Sequence, residues 1–334
     1  MDLLIINLLI TMKLMIIDSL TKIASPPIFY QIKNFIKNID VHIKLEGLNI
    51  ASSIKLKPAI WLIKKLEEKK HLIPNRSTAV CSSSGNLGIA LSIVCKEKGY
   101  PFICISDPNI STYSEQYINL YGGQVIKVTQ KDANGGYLGA RLALIKEMLE
   151  NNKDYVFVDQ YANLDNVDAH YLTTANELFC EFPQIDYLFL GAGTTGTLMG
   201  CANFFKRYSP KTKIIAVDAV GSVTFGFPAA KRFIPGLGTS TAPAIADATF
   251  VDDILLIKEI DTIKMCHHLL DNHGLFLGGS SGSVLHGVKQ YAQHIAPNAT
   301  VVAISPDFGD KYMNTIYNKT WVNDMYPQQL CEEV

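Results

Sequence analysis

Short apolar runs rich in Val and Ile alternate along the chain with longer segments whose apolar positions recur every three or four residues. The runs predict strands at Val41–Leu45, Thr78–Cys81, Phe102–Ser106, Gln124–Val128, Tyr155–Val158, Tyr187–Leu190, Lys213–Val217, Asp253–Ile257 and Thr300–Ile304. The segments between them predict helices at Pro58–Lys70, Leu87–Lys98, Ser114–Tyr121, Tyr137–Asn151, Val167–Cys180, Leu198–Tyr208, Asp261–Asn272 and Ser283–His294. Strands without a polar face, separated by helices, are the pattern of α/β layers built on parallel sheets. The longest stretch without such a pattern is Val220–Thr249, rich in Gly, Pro and Ala. Loops of that length often carry function. Leu3–Ile17 is apolar but broken by Asn7, Thr11 and Lys13. It is too short for a membrane span and lacks the basic lead of a signal peptide. It is expected to be a packing segment, or to precede a true start at Met12 or Met15.

Composition narrows the function. At roughly 150 residues per domain, 334 residues suggest two domains. Thirty basic residues against 31 acidic ones leave a net charge of −1, which argues against nucleic acid as the main partner. With 48% hydrophobic and 18% charged residues the chain can bury a core and is too apolar for disorder. The seven cysteines form no CxxC pair and the histidines no HExxH. A disulfide framework and a metal site are therefore not expected, and a reducing cytoplasm fits best.

Four places join a strand to a helix through small polar residues, where ligands bind α/β sheets. In the first, a strand ending at Leu45 runs through Asn49-Ile50-Ala51-Ser52-Ser53-Ile54 to Lys55, just before a helix opened by Pro58. Helix N-terminal N–H groups lower the pKa of a neighbouring lysine and free its amine for Schiff-base chemistry. The plain alternative is a surface lysine. The second, Cys81-Ser82-Ser83-Ser84-Gly85-Asn86, has more polar residues than an N-cap by Ser84 or Asn86 requires. Its N–H groups suit a carboxylate. The third, Gly191-Ala192-Gly193-Thr194-Thr195-Gly196-Thr197, suits a phosphate. It is also a GxGxxG sequence with Asp218, 22 residues on, at the end of the next strand. A nicotinamide dehydrogenase is thus a rival on local grounds. The fourth, Leu277-Gly278-Gly279-Ser280-Ser281-Gly282, reads as a strand ending in a Gly/Ser turn.

Together and in this order, from about Ser25 to Trp321, the four motifs resemble the fold-type II pyridoxal-phosphate enzymes, the cysteine synthase family. The resemblance implies two three-layer αβα domains with mostly parallel sheets, as in the tryptophan synthase β subunit. A smaller substrate-side domain would span 46–155, and a larger phosphate-binding domain 20–45 plus 156–325, with 1–19 as an extension. It implies pyridoxal 5'-phosphate on Lys55, with Asn86 at the phenolic oxygen and Ser280 at the pyridine nitrogen. Gly193, Thr194, Thr195, Gly196 and Thr197 would hold the phosphate. Ser83, Ser84 and Gly85 would hold the substrate α-carboxylate, and the route would be β-elimination and replacement through an aminoacrylate.

Segments outside that shell are similar to a subgroup, the N-(2-amino-2-carboxyethyl)-L-glutamate synthases of 2,3-diaminopropionate and siderophore biosynthesis. They are Ser84–Leu91, Asp132–Leu138, Gln160–Asn163, Ala216–Ala219 and Pro306–Tyr312. The resemblance implies O-phospho-L-serine and L-glutamate as substrates, in a cytoplasmic homodimer without membrane or nucleic-acid partners. Arg141, four residues after Tyr137, is a candidate clamp for the anionic groups, and Tyr161 a candidate hydroxyl donor. The alternatives are a solvated helix face for Arg141 and a core position for Tyr161. The chain departs from the family at Ile50 and Ser52, where Asn-Pro and Gly are usual. It also has Lys55-Leu56-Lys57 in place of Lys-Asp-Arg. Cysteine synthase itself and a catalytically silent binding protein remain as other readings.

Overall fold

The computed structural model describes residues 17–23, 28–131 and 136–327. The apolar segment up to residue 16, Ser25, residues 132–135 and Cys331 lie outside them. Two sheets organise the chain. The larger has six strands in the order β1 (Phe29–Ile36), β2 (Ile39–Leu45), β10 (Val301–Ser305), β7 (Tyr187–Gly191), β8 (Lys213–Ala219) and β9 (Asp253–Ile257). All its pairings are parallel except β1 with β2. The smaller is wholly parallel, in the order β5 (Gln124–Lys127), β4 (Phe102–Ser106), β3 (Thr78–Ser82) and β6 (Tyr155–Phe157). This is the α/β architecture with mostly parallel sheets expected from the sequence.

Continuous apolar strands arise because alternate residues feed different cores. In β10, Val301 and Ala303 join one cluster with Val41, Ile43 and Phe189. Val302 and Ile304 join another with Leu188, Leu190 and Ile214. Every residue of β10 is buried, so neither face needs polar positions. The smaller sheet is covered by α1 (Leu56–Glu68), α2 (Asn86–Lys98), α3 (Thr112–Leu120) and α4 (Leu138–Asn151). Helix α2 has no polar stripe along Leu87–Cys95 because all of that run is buried.

The predicted helix Val167–Cys180 is interrupted. It consists of α5 (Asp165–His170), a π turn at Tyr171–Ala175 and α6 (Asn176–Glu181). Further on come α7 (Gly196–Tyr208), α8 (Glu259–His273), α9 (Gly279–Gln290) and α10 (Lys319–Met325).

Three further differences from expectation have local causes. Strand β1, an antiparallel edge turned into β2 at Lys37-Asn38 with Asn38 at φ 62°, was not among the predicted strands because Gln31, Lys33 and Asn34 interrupt its apolar positions, although Ile32 and Phe35 are buried. No strand precedes the fourth motif. Leu277 makes an isolated bridge to Phe308, and the helix begins at Gly279, so Ser280 lies within it. The chain also stays in the smaller sheet to Phe157, past the expected boundary at 155.

Candidate active site

The carboxyl ends of β2, β3, β7 and β10 deliver their loops to one place. Ile54 N–H donates to Pro306 O (2.8 Å), and Ser53 bridges Asp307, which ties the loop after β2 to the loop after β10. Asn49 organises the first of these loops. Its Nδ2 donates to the carbonyls of Glu46 and Ser53, each at 2.9 Å, and its Oδ1 accepts from Ala51 N–H. Ser52 takes φ 48°, a left-handed conformation that glycine adopts without strain. The glycine usual in this turn is thus replaced by a strained serine, whose carbonyl accepts from Lys311 Nζ (2.9 Å).

Lys55 stands at the head of α1, and its Nζ donates to Thr194 Oγ1 (3.2 Å). The first and third sequence motifs, 139 residues apart, therefore meet. Burial pushes the Lys55 ammonium down from the usual 10.5 to about 8. This supports the nucleophile expected at Lys55 over a surface lysine.

The loop from Gly193 to Thr197 is shaped by contacts that only small residues allow. A Cβ at Gly193 would lie 2.4 Å from Gly236 O, and one at Gly196 would lie 2.5 Å from the Asn166 side chain. Thr195 takes φ 65° at the N-cap of α7 and makes no side-chain cap. Its buried Oγ1 has no hydrogen-bond partner. The first-turn N–H groups of a helix have no intrahelical acceptor, so the loop presents unspent donors with an orphaned hydroxyl among them. Thr197 instead faces His170, Oγ1 to Nε2 at 3.2 Å.

The second motif opens α2. Ser83 Oγ accepts from the N–H groups of Gly85 (3.2 Å) and Gly88 (3.1 Å), so Ser83 shapes the turn. A Cβ at Gly85 would meet nothing within 4 Å, which leaves room beside Ser84 and Gly85 for a ligand. Asn86 Nδ2 donates to Asp307 Oδ2 (2.7 Å), and its Oδ1 accepts from Lys311 Nζ (2.6 Å). Tyr312 OH also donates to Asp307 (2.9 Å). Burial raises the Asp307 carboxyl and Lys311 opposes it. Asp307 and Lys311 were missed as site residues by sequence reasoning. The available signal was their position just after the last strand. Ser280 faces Gly236, where a Cβ would come within 2.3 Å of its Oγ.

Arg141 is buried, not on a solvated face. Its Nη1 lies 3.4 Å from Asp107 Oδ2, and its Nε and Nη1 make no hydrogen bond. It lies near Tyr161, whose hydroxyl is raised by burial and lowered by the Arg141 charge. Asp218, the acid that a dinucleotide site would turn to a ribose, is fully buried and accepts from its own neighbour's N–H, Ala219 (2.8 Å). It is unavailable to a ribose, which removes the main support for the dehydrogenase reading.

Residues 26–307 match the family described as pyridoxal-phosphate dependent enzymes. The chain belongs to that family. The enzyme is similar to an O-acetylserine dependent cystathionine beta-synthase from Helicobacter pylori, at TM-score 0.85 and 26% identity, over 91% of this chain and 100% of that one. It is similar to a hydrogen sulfide-producing enzyme from Fusobacterium nucleatum at TM-score 0.82 and 28% identity, over 89% and 100%. An O-ureido-L-serine synthase shares the fold at TM-score 0.84 and 24% identity, over 91% and 96%. The enzyme's cofactor is pyridoxal phosphate.

The residues present fit that group. A dianion needs donors without bulk, and the Gly193–Thr197 cradle offers them where a Cβ at 193 or 196 would collide. An aldehyde needs an amine that is neutral near physiological pH, and Lys55 is buried beside the cradle. Among the described residues no helix is long and apolar enough to cross a membrane.

Proposed function

We propose that the enzyme is a β-replacement synthase that joins O-phospho-L-serine to L-glutamate, giving N-(2-amino-2-carboxyethyl)-L-glutamate and phosphate. The product is a precursor of 2,3-diaminopropionate. In the balance, the Cβ–O bond to phosphate breaks, the glutamate nitrogen forms a bond to Cβ, and that nitrogen gives up a proton. The observation that carries this reading is Arg141. It is a buried guanidinium with unspent donors beside Tyr161, at the carboxyl end of the smaller sheet. Unpaired donors on a buried cation are costly, and an anionic substrate group would satisfy them. Glutamate brings two carboxylates for such a group, and sulfide brings none beyond those of the first substrate.

The bound cofactor supplies an electron sink for the carbon acid at Cα. Lys55 would take the Cα proton and later return it, since burial brings its amine down to about 8 and so within reach of the neutral form. Thr194 Oγ1 holds that amine over the cradle. Gly193 to Thr197 hold the phosphate of the cofactor, and Ser280 meets its ring nitrogen. Ser84, Gly85 and the turn made by Ser83 receive the α-carboxylate. Asn86 reaches the phenolic oxygen by exchanging its contact with Asp307. The two sheets with their helices form the smaller and larger domains, and a cytoplasmic homodimer is expected.

The test is mass spectrometry of the product formed from phosphoserine with glutamate or with sulfide. A glutamate adduct as the main product supports the proposal. Cysteine formed much faster makes the enzyme a cysteine synthase. No product from phosphoserine or acetylserine, with cofactor bound, makes it a silent binding protein.

A further inference from the structure

Behind the cradle lies a chain of polar groups that runs from Lys57 through Thr174 and His170 to Thr197. Lys57, two residues past Lys55, is buried with Lys44 and Glu46, and the partly exposed Glu177 closes the group. Its ammonium has three protons, and three acceptors surround it: Glu46 Oε1 at 2.9 Å, Glu177 Oε2 at 2.7 Å and Thr174 Oγ1 at 3.2 Å. Thr174 sits in the π turn, a device that often marks functional positions. Its Oγ1 lies 3.1 Å from His170 Nδ1, and His170 Nε2 lies 3.2 Å from Thr197 Oγ1. Close packing brings the ends together. A Cβ at Gly200, one turn beyond Thr197, would meet Val167 O at 2.6 Å and His170 Cβ at 2.7 Å.

The lysine end sets the first direction along this chain. An ammonium only donates, so Thr174 Oγ1 accepts from Lys57, and the Thr174 proton has His170 Nδ1 as a partner at 3.1 Å. His170 is neutral, because burial, with Lys55 and Lys57 adding to it, pushes its ring down to about 3. A neutral ring whose Nδ1 accepts carries its proton on Nε2, and Nε2 donates to Thr197. The Thr197 hydroxyl proton is then left to point away from His170.

We propose that His170 is a positioning residue, set by Thr174 and Lys57, which turns the Thr197 hydroxyl into a donor towards the cofactor phosphate. This rests on the reading of Gly193–Thr197 as the phosphate cradle, and not on the identity of the substrates. A fixed donor is worth more to a dianion than a freely rotating hydroxyl.

The experiment measures the cofactor's dissociation constant from apoprotein, the 31P shift of bound cofactor, and the 15N shifts of the His170 ring. Wild type should show the proton on Nε2. Thr174→Val should weaken cofactor binding by about three- to tenfold, the size of one hydrogen bond. It should also move the 31P signal, and Thr174→Ser should restore both. Thr197→Val should weaken binding at least as much. If Thr197→Val leaves affinity unchanged, the cradle reading fails and takes the proposal with it. If Thr197→Val weakens binding but the wild-type ring carries its proton on Nδ1, the cradle stands and the relay is refuted. The relay is equally refuted if Thr174→Val changes neither affinity nor 31P shift. The wild-type ring measurement decides the matter even where a variant does not fold.

Discussion

Lys55 without cofactor should titrate near pH 8. The ammonium is buried, its one described hydrogen bond goes to a neutral hydroxyl, and no carboxylate is among the causes that act on it. An ordinary lysine at about 10.5 is neutral in about one molecule in 3,000 at pH 7, and one at about 8 in about one in 11. The ratio is about 300-fold, or about 3 kcal/mol in favour of the free amine. Covalent uptake of pyridoxal phosphate by apoprotein should therefore rise from about pH 6, reach half its plateau at about 8 and level off above about 9. Borohydride trapping at each pH, with peptide mass spectrometry, reports the yield at Lys55. A rise that continues without a bend towards pH 10 would refute the reasoning, as would label at another lysine. The linkage has a definite sign. Between about 8 and 10.5 the unfolded chain binds more protons at this lysine than the folded one, so stability from this group increases with pH across that window and is at its lowest below it.

Lys55→Ala should abolish turnover while circular dichroism and the urea midpoint stay close to wild type, since Lys55 makes no ion pair among the described residues. Lys57→Met removes a buried ammonium from Glu46 and Glu177 and should cost about 3–5 kcal/mol by urea unfolding, where Lys57→Arg costs far less. Ser52→Gly relieves a left-handed serine and should add about 1 kcal/mol to stability without weakening cofactor binding. Gly193→Ala forces a methyl against Gly236 O and should weaken cofactor binding by about tenfold or more, read from absorbance titration of apoprotein.

Much of this protein was legible in one dimension. The apolar runs of β4, β8 and β10 announced parallel strands because both faces of each strand are covered. The glycines and hydroxyls at 193–197 pointed to an anion site because small residues at a strand-to-helix junction leave helix N–H groups open. Other features depended on partners far away in sequence. Strand β1 was hidden because polar Gln31, Lys33 and Asn34 break the apolar run that edge pairing still uses at Ile32 and Phe35. The π turn within 165–181 was hidden because hydrophobic spacing does not distinguish it from a regular helix. The burial of Arg141 and Asp218 was invisible because residue type sets charge, and only packing sets solvent exposure. The roles of His170, Thr174, Lys57 and Asp307 belong to this second kind. Each acts through a hydrogen bond to a group on another element, and sequence can name the donor and the acceptor but not bring them within hydrogen-bond distance of one another.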